Sequence, residues 1–544
     1  MRRVGMALAV WSLLWSLIWT AGVIFLAGGE ARAQDAATMT TYLPLVGVKI
    51  APGNHPQDPG DPNNPGDPND PGDPNDPGDP NNPGDPNDPN NPGDPNDPND
   101  PNNPGDPQPV RATAFADPNW KTSSAAIQVD AQGGIHMAYH YYEAATTGQT
   151  SAVYRYCPAQ CEQPGNWQEV KLLSAVNEVQ LALTSQGKPR LLIRADEAAI
   201  NGREYYYGEC DQGCADAANW RIVLVSVTDQ TSLWDIYDDK QPQRSFALDP
   251  LDRPRFVQID RNYPIEPDRI GTFYMYCDMD CSDAANWHET MIGIYDTVTY
   301  LYELFEYPAL TFTSQGQPRI AAGFVANGEE AFHLYYLACD AGCEDTNNWS
   351  RVKLWERGQG DNPGWDIAVD SQDRPRIAFF PESMQDGSGE QLYYAWCDGN
   401  CLAAESWQRV SLGLGANDGA DPDLLFTGDT PYIAYVGGDG EDISVAACEQ
   451  GNCGVKEGWK EYVLDTWQAL ETEWPVTIAP TCLGGFWSTL TPNLVFDAKG
   501  SVRLAYDATY YAKCWWNTDH QRWEEWYQFS LIQRSVRSVL ITVP

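Results

Sequence analysis

Six pairs of cysteines recur along the sequence, and each pair is followed by a tryptophan. The two cysteines are four residues apart in five units and five apart in the sixth. Cα atoms four residues apart in a helical turn lie within reach of a disulfide. Zinc is the alternative, but a structural zinc ion takes four ligands, whereas each unit offers two sulfurs and the whole chain has 6 histidines. We therefore predict disulfides at Cys157–Cys161, Cys210–Cys214, Cys277–Cys281, Cys339–Cys343, Cys397–Cys401 and Cys448–Cys453.

Two further cysteines, Cys482 and Cys514, complete the set of 14. We expect them to join the last repeat to the insertion before it, although the spacing of cysteines alone does not fix their connectivity. A chain with this many disulfides is suited to an oxidising compartment outside the cytoplasm.

Three stretches combine aromatic side chains with carboxylates, a combination suited to sugar binding. Aromatic planes can stack on the C–H faces of sugar rings, and carboxylates accept hydrogen bonds from hydroxyl groups. Variable loops on a rigid scaffold are also where binding residues concentrate. The predicted ligand-binding residues are Trp234, Asp235 and Tyr237 in the first stretch, Tyr295, Tyr300 and Tyr302 in the second, and Trp467, Glu473, Trp474 and Trp487 in the third.

Catalytic chemistry has weaker support in the sequence. Glycoside hydrolysis needs two carboxylates at a defined separation, and the many Asp and Glu residues do not single out such a pair. His136 and His140 lie near tyrosines in "GGIHMAYHYY", where a His–Tyr pair could serve a polysaccharide lyase as base and acid; the alternative is two hydrogen-bonded strand residues. The chain contains no Gly-rich phosphate loop, no His-Glu-x-x-His motif and no nucleophile elbow. We therefore assign no catalytic residue and no metal ligand.

A second repeat predicts the elements that position these residues. Seven segments join an apolar run, a turn rich in Gly, Asp or Pro, and another apolar run, as in "VDSQDRPRIAF" and "FDAKGSVRLAY". Such segments are typical of β-hairpins. An aromatic run such as "QLYYAW" then leads to the first cysteine of a unit, and an alternating run such as "QRVSL" follows the tryptophan. Each repeat therefore predicts four short strands.

Seven repeats of four strands predict an all-β fold: a β-propeller of seven four-stranded blades over residues 109–544, with the cysteine pairs inside the blades. Repetition explains how so long a segment folds as one body without an oversized core. Six or eight blades, or two packed β domains, are the alternatives. An outer strand of the last blade would close the ring. It would come from the chain start, where "FADPNWKTSS" imitates the Asn-Trp before a fourth strand, or from the last segment, "SVLITVP".

Propeller geometry separates the repeated residues from the variable ones. Hairpin turns and cysteine loops lie on one face, whereas second-to-third loops and blade-to-blade crossings lie on the other. The three aromatic stretches are crossings, where their side chains either bind a ligand or plug the mouth of the channel. The repeated arginines belong to the first face, so we interpret them as structural, although clustered arginines could also clamp a carboxylate. They are Arg190, Arg255, Arg319, Arg376 and Arg503.

The rhythm of Asp/Gly turns, "PRIA" strands and "YYA" runs resembles the bacterial secreted β-propeller repeat proteins, some of them sialidase-like and most of unknown activity. The resemblance covers roughly residues 110 to 535. It implies the propeller fold. It brings no catalytic residues, because the sialidase-like Asp-box, Ser-x-Asp-x-Gly-x-Thr-Trp, is absent and the fold hosts many chemistries.

The N-terminal part of the chain has a different composition. Residues 1–33 begin with Arg2 and Arg3, continue with an apolar run and end with small residues, which is typical of a cleaved signal peptide. An uncleaved anchor is the alternative, because the run could span a bilayer. After a short segment, 34–53, residues 54–108 repeat Asp-Pro, Asn-Pro and Gly without Lys or Arg, so we predict a disordered linker. Weak calcium binding there is conceivable, but the frequent prolines oppose the wrapping that calcium loops need. No other cofactor is expected.

The net charge of −42 excludes several partners. It disfavours nucleic acid and anionic membrane surfaces, and membrane contact is expected only if the N-terminal segment is retained. We predict a secreted or cell-surface monomer that binds an extracellular glycan or a surface protein. The alternatives are a carbohydrate-active enzyme, either a glycoside hydrolase or a polysaccharide lyase, and a protein-interaction or display module without a small ligand.

Overall fold

The computed structural model arranges the strands in seven sheets of an all-β propeller, as the sequence predicts. All described residues belong to one unit, 58–544; the other unit, 1–57, lies outside the described part, so the predicted boundaries at the N-terminal end stay predictions. The structure describes residues 110–116, 120–143, 150–161, 163–197, 202–229, 244–261, 270–296, 301–302, 305–325, 332–356, 364–381, 391–414, 419–437, 442–449, 451–475, 485–497, 499–512, 515–517, 522–524 and 533–541.

The first described strand, β1, spans Val110–Ala116, and the blades are numbered from the strand that follows it. Blade 1 contains β2 (Trp120–Val129), β3 (Ile135–Glu143), β4 (Thr150–Cys157) and β5 (Gln168–Ser174). Blade 2 contains β6 (Val176–Leu183), β7 (Pro189–Glu197), β8 (Gly202–Glu209) and β9 (Arg221–Asp229). Blade 3 contains β10 (Phe246–Leu248), β11 (Pro254–Arg261), β12 (Ile270–Cys277) and β13 (Trp287–Asp296), with the short β14 (Leu301–Tyr302) at its outer edge.

The later blades follow the same order from the innermost strand outwards. Blade 4 contains β15 (Phe305–Phe312), β16 (Pro318–Val325), β17 (Phe332–Cys339) and β18 (Trp349–Glu356). Blade 5 contains β19 (Gly364–Val369), β20 (Pro375–Phe380), β21 (Tyr393–Cys397) and β22 (Trp407–Ser411). Blade 6 contains β23 (Ala420–Thr427), β24 (Thr430–Gly437), β25 (Asp442–Ala447) and β26 (Lys460–Asp465), and helix α1 (Trp467–Glu473) follows it.

Blade 7 closes the ring with strands from both ends of the described chain. After β27 (Gly485–Phe496) and β28 (Val502–Ala512), β29 (Trp515–Asn517) and β30 (Arg522–Glu524) form a separate hairpin, and β31 (Gln533–Ile541) returns to the sheet. β1 pairs with the outer side of β31, so the chain start supplies the outer strand, as one of the two alternatives predicted. The comparison of "DPNW" with the Asn-Trp before a fourth strand is wrong, because Trp120 begins the innermost strand of blade 1. Within the described ranges, no helix is long and apolar enough to cross a membrane.

The hairpin turns between first and second strands explain the repeated Asp and Gly residues. In blade 5 the carboxylate of Asp370 accepts hydrogen bonds from the backbone N–H groups of Gln372 and Arg374, both at 3.0 Å. Asp373 then adopts a φ of 62°, and Gly133 takes the same place in blade 1 with a φ of 85°. This left-handed conformation favours Gly and is tolerated by Asp.

All six cysteine pairs between third and fourth strands form the predicted disulfides, with Cα–Cα distances of 5.6–5.8 Å. In every unit the tryptophan Nε1–H donates to the carbonyl of the second cysteine at 2.8–3.0 Å. In blade 2, Asn219 donates to the Gly213 carbonyl at 3.0 Å, and the Asp216 carboxylate caps the short 3-10 turn. The motif therefore folds its own loop. Cys482 and Cys514 lie outside the described residues, so their pairing stays a prediction.

The same tryptophans connect neighbouring blades. The ring of Trp220 lies 5.0 Å from that of Tyr154 in the preceding blade, and equivalent pairs recur at four further junctions with centroid separations of 5.0–5.3 Å. The tyrosine stands three residues before the first cysteine of its blade. In blade 6 that position is Val445, and no cysteine–tryptophan unit follows it in blade 7.

The repeated arginines contact the cysteine loop of their blade, its hairpin turn, or both. Arg376 donates to the Cys397 carbonyl at 2.8 Å and pairs with Asp370 at 2.7 Å and with Asp398 at 2.8 Å. Arg503 lies 3.5 Å from Asp497 in the turn of blade 7. The structural interpretation of these arginines is therefore confirmed. The first-cysteine carbonyl and the following aspartate are likewise the partners of Arg190, Arg255 and Arg319.

Candidate functional site on the crossing face and at the propeller axis

The two faces of the propeller have different chemistry. We call the face with the hairpin turns and cysteine loops the turn face, and the face with the second-to-third connections and the blade-to-blade connections the crossing face. On the turn face the same residue types make the same contacts in most blades. The crossing face differs from blade to blade, so it is the place to look for a binding site.

The first two predicted stretches are only partly described. Tyr295 and Tyr302 are register partners in the short pairing of β13 with β14, so the second stretch turns back on the outer edge of blade 3. Their roles in binding, and those of the other residues of both stretches, stay predictions. Outside the described residues lie Trp234, Asp235, Tyr237 and Tyr300.

The third stretch forms α1, which carries an exposed tryptophan. The side chain of Thr466 caps the helix by accepting a hydrogen bond from the backbone N–H of Ala469 at 3.2 Å. Leu470 is fully buried in the core shared by blades 6 and 7. Trp467 is 36% exposed, and Glu473 near the helix end is also exposed. The helix therefore presents an indole and a carboxylate to solvent while one side chain anchors it.

Trp487 lies in the core rather than at the surface. It is 1% exposed, and its ring centroid lies 5.7 Å from that of Trp474 and 5.5 Å from that of Tyr510. This aromatic row joins the end of α1 to β27 and β28. These contacts indicate that Trp487 and the half-buried Trp474 pack within the fold rather than bind a ligand. Trp467, by contrast, is exposed and can contact a ligand.

Sequence reasoning missed a second aromatic element on the crossing face. β29 and β30 form a two-stranded hairpin between the second and third strands of blade 7. Trp516 is the register partner of Trp523, and Trp515 is the register partner of Glu524. A signal was present, because "CWWNTDHQRWEEW" holds four tryptophans in a short segment.

At the propeller axis the structure gathers charged groups that the sequence does not mark. Arg244 precedes β10 in blade 3, yet its guanidinium donates to the Pro422 carbonyl in blade 6 and, at 3.0 Å, to the Pro492 carbonyl in blade 7. Its Nε lies 3.4 Å from Asp423 and 4.0 Å from Asp366. One side chain of blade 3 therefore bridges the ring to blades 5, 6 and 7.

Two carboxyl groups near Arg244, those of Asp366 and Asp421, have raised pKa values. Asp366 and Asp423 are each 5% exposed. Burial raises the pKa of Asp366 to about 7, with Arg244 opposing the rise and Asp423 adding to it. Desolvation likewise raises the pKa of the half-buried Asp421 to about 6, and Arg244 again opposes it. A carboxyl that keeps its proton near neutral pH beside a second carboxyl is an arrangement that acid–base chemistry can use.

Asp366 and Asp423 belong to a set of four axial side chains, completed by Gln180 and Asn493, that also hold the innermost strands together. Each lies four residues before the turn residue of its own blade and accepts a backbone hydrogen bond from the innermost strand of the next blade. The bonds are Phe246 N–H to Gln180 at 2.9 Å, Leu424 N–H to Asp366 at 2.8 Å, Leu494 N–H to Asp423, and Ile127 N–H to Asn493 at 2.9 Å. The axial carboxylates therefore have an architectural role besides any chemical one.

His136 makes structural contacts on the turn-face side of blade 1. It is 4% exposed, its Nδ1 lies 2.6 Å from the hydroxyl of Tyr154, and its Nε2 lies 3.3 Å from Asp130. It occupies the strand position that arginine takes in blades 2 to 5, and burial lowers its pKa. The contacts favour the hydrogen-bonded alternative over a lyase base, while His140 lies further along β3.

Metal binding has no support from the part of the chain that the structure describes. There, no group of three or more His, Cys, Asp or Glu side chains could hold a metal ion. The expectation of weak calcium binding concerned residues 54–108, which lie outside the described ranges, so it stays a prediction.

Comparisons with known proteins name no family for this chain. No family model matches the chain, and no curated protein matches it. Among solved structures, a protein of unknown function from Dyadobacter fermentans is 10% identical, covers 80% of this chain and 100% of its own, and has a TM-score of 0.41. The GH93 α-L-arabinofuranosidase of Fusarium graminearum is 10% identical, with coverages of 79% and 97% and a TM-score of 0.38. A polysaccharide lyase is 8% identical, with coverages of 77% and 90% and a TM-score of 0.44.

The fold assignment rests on the strand pairings rather than on these resemblances. The resemblance to repeat propellers holds at the level of the β-propeller. Sialidase-like kinship and a bacterial source stay predictions.

Proposed function

We propose that the propeller is an extracellular or cell-surface glycan-binding module that contacts its ligand through the crossing face. The observation that carries the proposal is the exposure of Trp467 on α1, a helix that also carries the exposed Glu471 and Glu473. An indole held at the surface offers a plane to a sugar ring. The neighbouring carboxylates offer acceptors to its hydroxyl groups.

Pre-organisation of α1 also supports binding. Leu470 is fully buried, and Trp474 packs against the buried Trp487, so the helix is held by contacts that do not use Trp467. A ligand that stacks on Trp467 would have little backbone to order, and ordering is a main cost of association. Packing accounts for Trp474 and Trp487, whereas it leaves the exposure of Trp467 unexplained.

The disulfides support the extracellular location in this proposal. Six cysteine pairs are bonded within the blades, and disulfides of this kind persist in oxidising compartments. Together with the predicted signal segment, they favour secretion or surface display.

A glycan array screened with the oxidised protein tests the proposal. We expect selective retention of intact glycans, a loss of affinity of about tenfold for Trp467→Ala, and a smaller loss for Trp467→Phe, which keeps an aromatic plane. Leu251→Ala is the matched control, because Leu251 is 72% exposed on the turn face. No selective retention, or equal binding by Trp467→Ala and the unmodified protein, would refute the proposal and favour protein contact.

A carbohydrate-active enzyme is the second candidate, and one observation favours it. Asp366, with its raised pKa, lies beside Asp423 and Arg244 at the axis. Mass spectrometry of the retained glycans would detect shortened or unsaturated products, and Asp366→Asn should then abolish them without loss of the fold. Recovery of intact glycans only would eliminate this candidate.

A further inference from the structure

We infer that Glu471 is the carboxylate with which the Trp467 site holds its ligand, and that the site selects a sugar ring with two adjacent free hydroxyl groups. The inference rests on the proposed function and deepens it, because it names one polar contact and the hydroxyl pattern of the ligand. Two observations carry it: the spacing of Glu471 from Trp467 on α1, and the surroundings of the Glu471 carboxylate.

Glu471 and Trp467 lie on the same side of α1. A residue four positions further along a helix is rotated by about 40° and raised by about 6 Å, so the two side chains are neighbours. Both side chains are exposed. Glu473, six positions after Trp467, is rotated by about 120° and belongs to a different side of the helix. The helix therefore places one carboxylate, that of Glu471, beside the exposed indole.

The Glu471 carboxylate lies at the edge of the aromatic row formed by Trp474, Trp487 and Tyr510. Burial raises its pKa, and the indole N–H of Trp487 opposes the rise. Tyr510 is the titratable group that faces it from β28, and the charge of Glu471 adds to the effect of burial in raising the Tyr510 pKa. No described cation contributes to the pKa shift of Glu471. Among the described residues, the carboxylate therefore has no ion-pair partner that would compete with a ligand.

The contact between Glu471 and Trp487 is loose. Trp487 is 1% exposed, and its indole N–H has no partner in full hydrogen-bond geometry within the described part of the chain. A buried donor of this kind favours an acceptor nearby, so it holds the ionised carboxylate at the edge of the row. An ionised carboxylate has about four lone-pair sites. Both oxygens therefore stay able to accept hydrogen bonds from a ligand.

A carboxylate beside an indole plane matches one pattern of sugar hydroxyls. Two oxygens on one carbon accept well from two donors that stand side by side, as they do in bidentate pairs with arginine. Hydroxyl groups on adjacent ring carbons form such a pair of donors. When the C–H face of the ring stacks on Trp467, hydroxyls at the ring edge can reach Glu471, the neighbouring side chain. A ring without adjacent hydroxyls would use only one of the two oxygens.

Polysaccharides that differ only in linkage can test the hydroxyl pattern. Affinity electrophoresis of the oxidised full chain at pH 7.5 would use gels containing 1,4-linked glucan, mannan, galactan or xylan, each beside its 1,3-linked counterpart. Within the chain, a 1,4 linkage leaves the adjacent 2- and 3-hydroxyls free, whereas a 1,3 linkage leaves no adjacent pair. We expect retardation by at least one 1,4-linked polysaccharide and about tenfold weaker binding of its counterpart, the loss of one hydrogen bond to a charged group.

The variant Glu471→Gln tests the residue itself. Its amide oxygen can still accept from the Trp487 N–H, so the fold should be kept, which thermal unfolding would check. We expect about a tenfold loss of affinity and loss of the preference for the 1,4 linkage. Glu457→Gln, at an exposed position in the cysteine loop of blade 6, is the matched control and should change neither. Glu473→Gln should lower the affinity less than Glu471→Gln does.

A pH series separates ligand contact from a structural role. The affinity of the unmodified protein should fall as Glu471 takes up a proton, because a protonated carboxyl accepts fewer hydrogen bonds. Since burial raises the pKa of Glu471, the fall should begin at a higher pH than for an ordinary glutamate with a pKa of about 4.3. Glu471→Gln should remove this dependence, whereas Glu473→Gln should keep it.

The other outcomes overturn different statements. If Glu471→Gln binds as tightly as the unmodified protein while Trp467→Ala does not, the role of Glu471 is refuted and the proposed function stands. Equal losses for Glu471→Gln and Glu473→Gln would indicate an effect of helix charge and also refute the inference. Equal retardation by both linkages would refute the hydroxyl pattern. No retardation by any of these polysaccharides would refute the proposed function together with the inference.

Discussion

The turn face and the crossing face use the same residue type for opposite purposes. On the turn face Trp407 is 7% exposed, donates to the Cys401 carbonyl at 2.8 Å and packs 5.1 Å from Tyr336 of the preceding blade. On the crossing face Trp467 is 36% exposed on a helix held by other side chains. Repetition of the same contacts from blade to blade marks residues that hold the fold. Trp467 lies outside the repeated set, and its exposure suits recognition.

Truncation of one tryptophan on each face gives the largest expected contrast. Trp407→Ala should lower the free energy of unfolding by about 3–5 kcal/mol, because it removes a buried ring that joins two blades. Trp467→Ala should change it by no more than about 0.5 kcal/mol, as is usual for exposed positions. Chemical denaturation of both variants measures the difference. Equal destabilisation would mean that Trp467 is part of the scaffold and would break the comparison.

Removal of one disulfide should have a smaller effect. In Cys397→Ser/Cys401→Ser the closed loop is very short, so we expect a loss of about 2 kcal/mol from the loop-entropy term. The hydrogen bond from Trp407 to the residue 401 carbonyl does not need the sulfur and should remain. Glycan binding should be unchanged, since this loop is on the turn face. Weakened binding with an intact fold would show that the two faces are coupled.

The axial carboxyl gives a test through pH. The folded pKa of Asp366 is about 7, above the unfolded value of about 3.9, so the native state binds more protons between these values. The free energy of unfolding should therefore fall as pH rises through that window. Asp366→Asn should flatten this decline, because its amide can still accept the Leu424 N–H. Glu473→Gln, at an exposed position, is the control and should keep the slope. If the free energy of unfolding of Asp366→Asn falls with pH as steeply as that of the unmodified protein, the group that binds the proton is not Asp366.

The smallest expected effect concerns one of the hydrogen bonds from a backbone N–H to a side chain that join the innermost strands around the axis. Asn493→Ala removes the acceptor of the Ile127 N–H, which joins blade 7 to blade 1. We expect a loss of about 1 kcal/mol, the usual net contribution of one hydrogen bond. Gln372→Ala, at an exposed position of a hairpin turn, should be neutral. Thermal unfolding compares the two, and a neutral Asn493→Ala would show that the ring needs no side-chain bond at this junction.

The fold was predictable because its rules are local and repeated. The turn of Asp370 and the loop of Cys397 and Cys401 each satisfy their hydrogen bonds within a few residues, so a short pattern carries the structure. Blade number then follows from counting these patterns. Closure was predictable only as two alternatives, because edge pairing of β1 with β31 leaves no local signal.

The site was less predictable because its residues are distant in sequence. Arg244 meets Asp366 and Asp423 only when blades 3, 5 and 6 form one ring, and no spacing rule connects them. A weaker signal existed, since a polar residue stands four positions before the turn in several blades. The burial of Trp487 was equally hidden, because its neighbours Trp474 and Tyr510 come from different elements.

The closing strand has a consequence for the order of folding. β1 is the first described strand and pairs with β31, the last, so blade 7 cannot be completed until almost the whole propeller has emerged. The N-terminal strand leaves the ribosome first and must wait unpaired while six blades assemble, which makes closure a contact of very long sequence separation and a slow step. A chain interrupted before β31 would carry a full set of disulfides in blades 1 to 6 and still expose a free edge. Completion of the ring therefore requires that synthesis has passed β31.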